Sequence, residues 1–399
     1  MPVPPRHRIS PNAKTSALAV WSLVLGILGI CTGITAPFAI VTGHLAHGRI
    51  ARSFGRLTGK GFAVTGFILG YFGVVLSIGI LILQIQSKKF FETVKELDTV
   101  ETRATATPLP EFPEIPLFDR LEPSEVQVCQ FSLTPDEEAT AGSGMSFRIY
   151  LPATEAAPRS LPCVLIAPAG TNLLSGSDLD ELDGFSYHDE ALPYAEAGFA
   201  AVLYSIDGQD QGGEIDGNDG AATVDAMKNA YVGFKNAGAG VVNGRNALEL
   251  TLARLPMVDP NRIYSAGHSS AGTLSLLLAA HEPRLAGCIA YAPAVDIEDH
   301  FADLLSGFEA SFLLPGFPRF AEDSSPLNHT DSLTAPVFLF FAEDDSLVSP
   351  EQAEPFVAQL RATNSDVTVK TVESGGHYQS MIDEGIPAGI EWIQERSRP

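Results

Sequence analysis

Two long runs without a charged side chain open the chain, from Ser16 to Gly43 and from Gly61 to Ser87. Each exceeds the ~20 apolar residues needed to cross a hydrocarbon core. The pattern predicts two transmembrane helices, at about 17–43 and 61–86. Between them "HGRIARSFGRLTGK" sets Arg49, Arg52, Arg56 and Lys60 in a short basic loop, so residues 1–89 read as a membrane hairpin. Gly66 and Gly70, like Gly29 and Gly33, are spaced to let helices approach closely. The length of the first run and the second span behind it argue against a cleaved signal peptide. After Lys89 the pattern changes. "FFETVKELDTVETRA" has helical spacing and "TATPLPEFPEIPLF" carries four prolines, so 90–117 reads as a juxtamembrane helix and an extended Pro-rich stalk.

From 118 to 399 short apolar runs alternate with helical stretches. "VQVCQFSL" and "MSFRIYLP" read as an antiparallel opening pair. "CVLIAP", "FAAVLYSI", "RIYSAG", "GCIAYAP", "VFLFFA" and "VTVKTVE" follow as strands, with helices around "HDEALPYAEAG", "GRNALELTLARL" and "PEQAEPFVAQLRA" and a closing helix through Trp392. This alternation predicts an α/β fold, a mostly parallel sheet with helices on both faces. Ligands in such folds bind beyond the carboxyl ends of the strands.

Charge changes the picture by its distribution. Residues 1–89 hold nine Lys/Arg and no acid, leaving 16 basic against 48 acidic residues after them, a net charge of −32. A body that acidic repels nucleic acid and anionic lipid. The positive-inside tally is 4 in the hairpin loop against 5 in the flanks and does not decide orientation. The concentration of charge in the loop favours a cytoplasmic loop and an extracytoplasmic body. Cys31, Cys129, Cys163 and Cys288 show no paired spacing and read as small core residues.

The chemistry centres on "RIYSAGHSSAG", where a strand turns into a helix. At a nucleophile elbow the positions two before and two after the serine crowd together, so both must be small. Ser269, flanked by Gly267 and Ala271, satisfies this; Ser270 would put the His268 ring in the crowded place. The Ser270 N–H then stands at a helix N-terminus, ready for an oxyanion, with a second donor expected from Gly170 or Thr171 after "CVLIAP". A serine hydroxyl needs a base and the base an orienting carboxylate, in the chain order serine, acid, histidine. Asp345 in "VFLFFAEDDSLVSP" stands where the acid is expected, with Asp344, Glu343 and Asp296 as rivals. His377 in "TVESGGHYQSM" follows two glycines. Two further stretches bear on substrate. "DGQDQGGEIDGNDG" is a flexible acidic loop that misses the EF-hand calcium spacing. "HFADLLSGFEASFLLPGFPRF" is either a lid or acyl pocket, or a pair of packing helices.

The quoted residues carry two resemblances. "AVWSLVLGILGI", "HLAHGRIARS" and "GRLTGKGFAVTGFILGYFGVV" resemble a small bacterial two-helix membrane domain of unknown function, which implies anchoring and no chemistry. "GHSSAG", "SPLNHTDSLTAPVFLFFAEDDSLVSPEQA" and "GGHYQ" resemble the α/β-hydrolases, in the branch of dienelactone hydrolases and prolyl-oligopeptidase-type peptidases. That likeness implies a triad of Ser269, Asp345 and His377. The family's "HGG" oxyanion loop reads "PAGT" here. The expectation is a membrane-anchored serine hydrolase cleaving an ester, thioester or amide of a small-molecule or acyl substrate, with no metal or organic cofactor. A peptidase, an acyltransferase and a non-catalytic binding module of the same fold are the alternatives.

Overall fold

The computed structural model describes residues 13–32, 34–53, 56–98, 109–135, 140–179, 188–208, 220–302 and 314–396. The chain divides into two compact units, Met1–Glu96 and Leu97–Pro399. Three helices make up the first: α1 (Ala17–Thr32), α2 (Ala36–Arg52) and α3 (Lys60–Asp98). The first apolar run, expected as one span, is thus two helices. Pro37 sits in the first turn of α2. There its missing N–H is harmless, while its ring prevents a preceding helix from running through. Among the described residues one helix, over Lys60–Gly79, is long and apolar enough to cross a membrane, and the apolar stretch of α1, Ala17–Gly29, is shorter. The helix expected beyond residue 86 is a continuation of α3, which runs to Asp98.

Small residues hold this unit together. Ala19, Ser22, Ala36, Ala39, Ala46 and Ala63 are fully buried, while Trp21, Phe38, Val41, Ile68, Phe72 and Val75 are exposed. A Cβ on Gly26 would stand 2.6 Å from the Gly66 carbonyl oxygen, and one on Gly70 would stand 2.8 Å from that of Ala36. A Cβ on Gly29 would meet the Ala36 backbone nitrogen at 2.9 Å; its spaced partner Gly33 lies outside the described residues. Ser22 Oγ donates to the Ala39 carbonyl at 2.9 Å, so the buried hydroxyl is satisfied.

The second unit is built on nine strands: β1 (Asp119–Leu121), β2 (Val126–Ser132), β3 (Ser146–Leu151), β4 (Leu161–Ile166), β5 (Ala200–Tyr204), β6 (Val258–His268), β7 (Gly287–Tyr291), β8 (Val337–Ala342) and β9 (Val367–Val372). Their order across the sheet is β9-β8-β7-β6-β4-β5-β3-β2-β1. β1, β2, β3 and β5 pair antiparallel, and every pairing from β5 through β4 to β9 is parallel. β4 connects to β5 on one side and lies against β6 on the other. Their carboxyl ends therefore flank the switch point where such sheets bind ligands.

Alternation along each strand divides the core into two faces. Ile263 of β6 joins Leu165, Val202, Leu339 and Phe341 under helices α5 (Gly220–Asn236), α6 (Val241–Arg254) and α7 (Ser270–His281). Tyr264 and Ala266 point the other way, with Ile166, Ile289 and Phe340, under α4 (His188–Glu196) and the last helix, Ile386–Arg396. The Pro-rich segment runs along the body: Phe112, Ile115 and Phe118 pack on the core, and Arg254 pairs with Glu114 at 3.0 Å. β9 is one of the two edge strands, paired on one side among the described residues and half-buried along most of its length. Within the proposed lid, residues 303–313 lie outside the described residues. The helix that follows, Phe317–Ser324, buries Phe317, Phe320 and Ala321 in the core, so this part is packing.

Candidate active site

β6 ends at Gly267-His268, Ser269 makes the turn, and α7 begins at Ser270. Ser269 has φ 57° and ψ −122°, a conformation that costs a non-glycine residue ~1–3 kcal/mol. The surroundings enforce it. The Ser269 N–H donates to the Tyr291 carbonyl at 2.8 Å, and its own carbonyl accepts from the Thr273 N–H at 3.1 Å. A Cβ on Gly267 would run into the Ala271 carbonyl, and Ala271 itself is fully buried. The crowding read from the sequence is therefore present, with a methyl group accommodated at 271. The half-buried Ser269 is thrust out of the sheet at the turn.

Asp345 sits on the loop after β8. Its Oδ2 is 2.7 Å from His377 Nδ1, and its Oδ1 accepts the N–H groups of Leu347 at 2.8 Å and Val348 at 3.0 Å. Its side chain is 1% exposed, so three donors satisfy a carboxylate that water does not reach. The two rivals within "AEDD" and the one in "APAVD" do other things. Asp344 accepts from the N–H groups of Gly375 at 3.1 Å and Gly376 at 2.8 Å. Glu343 continues the sheet, its N–H donating to the Val372 carbonyl at 2.8 Å. Asp296 caps the single-turn helix Ile297–His300. Gly375 and Gly376 have φ of 121° and 63°, so the loop that turns His377 inward needs glycine at both places.

The same loop is fastened to the elbow through His268, which the sequence reading treated only as bulk. His268 Nε2 lies 2.8 Å from the His377 carbonyl, so that nitrogen carries the proton and donates. The two rings lie 4.5 Å apart with a 46° tilt, and Tyr378 meets the His268 ring edge-on at 5.5 Å. Burial, and after it the nearby His377, push His268 down to about 4, so it is neutral at physiological pH. Strand alternation was the signal available for this role, since it places His268 on the same face as Tyr264 and Ala266.

The residues expected to donate to an oxyanion are arranged unequally. Thr171 directs both its N–H, at 3.3 Å, and its hydroxyl, at 2.6 Å, to the Pro168 carbonyl, which leaves Gly170 of the expected pair. Gly170 is exposed at φ 72°. Ser270 opens α7, where its N–H points out of the helix end, and its Oγ is buried with no hydrogen-bond partner. Of the acidic loop, Asp207 is described: it accepts from the Gly142 N–H at 2.5 Å and from Asn243 Nδ2 at 2.8 Å. Residues 209–219 lie outside the described residues. Among the described residues no group of three metal-ligating side chains occurs.

Comparisons with known proteins bear on the fold. Residues 238–394 match the prolyl oligopeptidase family, and residues 18–80 match a domain of unknown function, DUF4190. No curated protein sequence matches the chain. Among solved structures, an acetyl xylan esterase from Paenibacillus sp. R4 is similar with a TM-score of 0.52 at 18% identity, over 77% of this chain and 93% of the esterase. The Pyrococcus horikoshii acylaminoacyl peptidase superposes with a TM-score of 0.50 at 15% identity, over 71% of this chain and 43% of the peptidase. A puromycin-hydrolyzing peptidase of Mycobacterium tuberculosis gives 0.50 at 16%, over 69% and 40%. The chain thus spans less than half the length of those two peptidases. The second unit has the α/β-hydrolase fold, and its carboxyl-terminal part, residues 238–394, is similar to the prolyl oligopeptidase family.

Proposed function

We propose that the chain is a membrane-anchored hydrolase that cleaves a carboxylic ester through an acyl-enzyme on Ser269. The observation that carries the reading is the Asp345–His377 bond at 2.7 Å, on a loop that His268 ties to the residue before the elbow serine. His377 takes the Ser269 proton through its free ring nitrogen as Oγ attacks the carbonyl. Asp345 holds Nδ1 protonated and stabilises the imidazolium. The N–H groups of Ser270 and Gly170 receive the oxyanion. His377 then returns its proton to the leaving alcohol, and water repeats the sequence to free the acid.

Ester is favoured over peptide because the acetyl xylan esterase shares nearly its whole length with this chain, while most of each peptidase's length has no counterpart here. Anchoring is supported by the apolar helix Lys60–Gly79 and by the large apolar side chains on the outside of the first unit. Two crossings and an extracytoplasmic body remain part of the proposal. A fluorophosphonate probe tests the chemistry: the purified chain labels and hydrolyses short-chain p-nitrophenyl esters, and Ser269→Ala does neither. Retention of activity in Ser269→Ala would overturn the assignment, and a folded parent chain that never labels would make the fold a binding module.

A further inference from the structure

A small cavity lies behind the elbow, on the sheet face covered by α4. Glu190, Tyr194, His268 and Tyr291 form its polar wall, with Ile166 and Met381 among its apolar lining. About 10 Å³ of it is open to the centre of a water molecule, enough for one water. Glu190 is 4% exposed, and among the described residues no protein group hydrogen-bonds its carboxyl. An unpartnered buried carboxyl next to the nucleophile elbow calls for an explanation.

Burial first, and the neighbouring Asp189 charge second, push Glu190 up to about 8, so at neutral pH it is an acid with a proton to donate. His268 offers the matching acceptor. Its Nε2–H is committed to the His377 carbonyl, and its ring is neutral, so Nδ1 carries a lone pair. We propose that Glu190 and His268 are positioning residues for the base: the carboxyl proton of Glu190, given to His268 Nδ1 when the carboxyl turns across the cavity they both line, fixes the tautomer with which His268 holds the His377 main chain. This rests on the assignment of Ser269 and His377 above. When Glu190 ionises, two acceptors face each other and the ring proton is drawn to Nδ1. Nε2 then meets the His377 carbonyl without a hydrogen, and the loop carrying the base loosens.

The ionisable groups facing this pair are few among the described residues. α4 contributes Asp189, whose carboxylate accepts from the Tyr378 hydroxyl, and Tyr194, which shares a 2.6 Å hydrogen bond with Tyr291 of β7. Both phenols stay protonated, raised chiefly by burial. His377 and Asp345 lie beyond His268, and Met381 and, at the start of the last helix, Ile386 close the cavity with apolar side chains.

The experiment follows kcat and KM of the full chain on a p-nitrophenyl ester between pH 6 and 10, corrected for background hydrolysis. The parent's kcat falls at least ~5-fold between pH 7 and 9.5, with an inflection near 8. Glu190→Gln, whose amide keeps a donor at every pH, loses that alkaline limb. His268→Phe keeps an aromatic ring against His377 without a donor and loses ~10–100-fold in kcat with KM moved less than ~3-fold; His268→Gln, which restores a donor, recovers most of the loss. An alkaline limb unchanged in Glu190→Gln overturns the Glu190 half of the proposal. Full kcat in a folded His268→Phe overturns the His268 half. Fluorophosphonate labelling of Ser269 in the parent separates these failures from failure of the hydrolase reading, which instead removes labelling and turnover together.

Discussion

The two units of this chain are packed by opposite rules. In the first, alanine, serine and glycine meet at the helix crossings, and tryptophan, phenylalanine, isoleucine and valine face outward. In the second, Phe147, Phe234, Phe340 and Phe356 are inside, and the surface carries the acid excess. A water-exposed fold gains ~1.5–3 kcal/mol by burying each large apolar side chain. That driving force vanishes in hydrocarbon, where close backbone approach and van der Waals contact decide packing instead. The contrast therefore supports the proposed anchoring more directly than hydropathy does.

The contrast is broken most severely by exchanging bulk. Gly66→Leu places a side chain where a Cβ already meets the Leu23 backbone nitrogen at 2.6 Å. We expect the α1–α3 packing to be lost, read as protease sensitivity of residues 13–79 in detergent. The body fails by the opposite change: Phe356→Ala lowers its unfolding free energy by about 3–5 kcal/mol in a denaturant titration. Val75→Asp comes next. On an apolar outer face in lipid it costs about 3 kcal/mol at mid-span and shifts the chain out of the carbonate-resistant membrane fraction. Were the outer face wetted, the same substitution would raise solubility and leave the fractionation unchanged. Smallest is Asp344→Ala, which frees the two glycine N–H groups without touching Asp345. A fall in kcat of ~10-fold at near-constant KM is expected, corresponding to about 1.4 kcal/mol. Unchanged turnover would show that the glycine loop holds its shape unaided.

Legibility in the sequence followed the strength of the periodic signal. Eight strands could be read because their apolar runs are six or so residues long and bounded by turns. β1, three residues at the edge, gave no run to read. The break between α1 and α2 was signalled by "GITAP", but the unbroken apolar character of 17–43 outweighed it. Chain order and strand ends singled out Ser269, Asp345 and His377 as candidates. The different employment of Asp344 could not be read, because two adjacent carboxylates differ only in which way the loop turns them. Glu190 gave no signal at all: on paper it belongs to a polar helix start, "HDEALPYAE", and its burial depends on α4 packing beside β6 and β7.

One feature of the sheet bears on how such a catalyst would fail. The loop that carries His377 springs from β9, an edge strand, which among the described residues has a neighbour on β8 and none beyond. Edge segments of this kind fray in sub-global excursions well below the free energy of complete denaturation. On warming, the imidazole would drift from its alcohol while the central strands were still intact. Inactivation ought therefore to precede the cooperative melt, and to reverse on cooling.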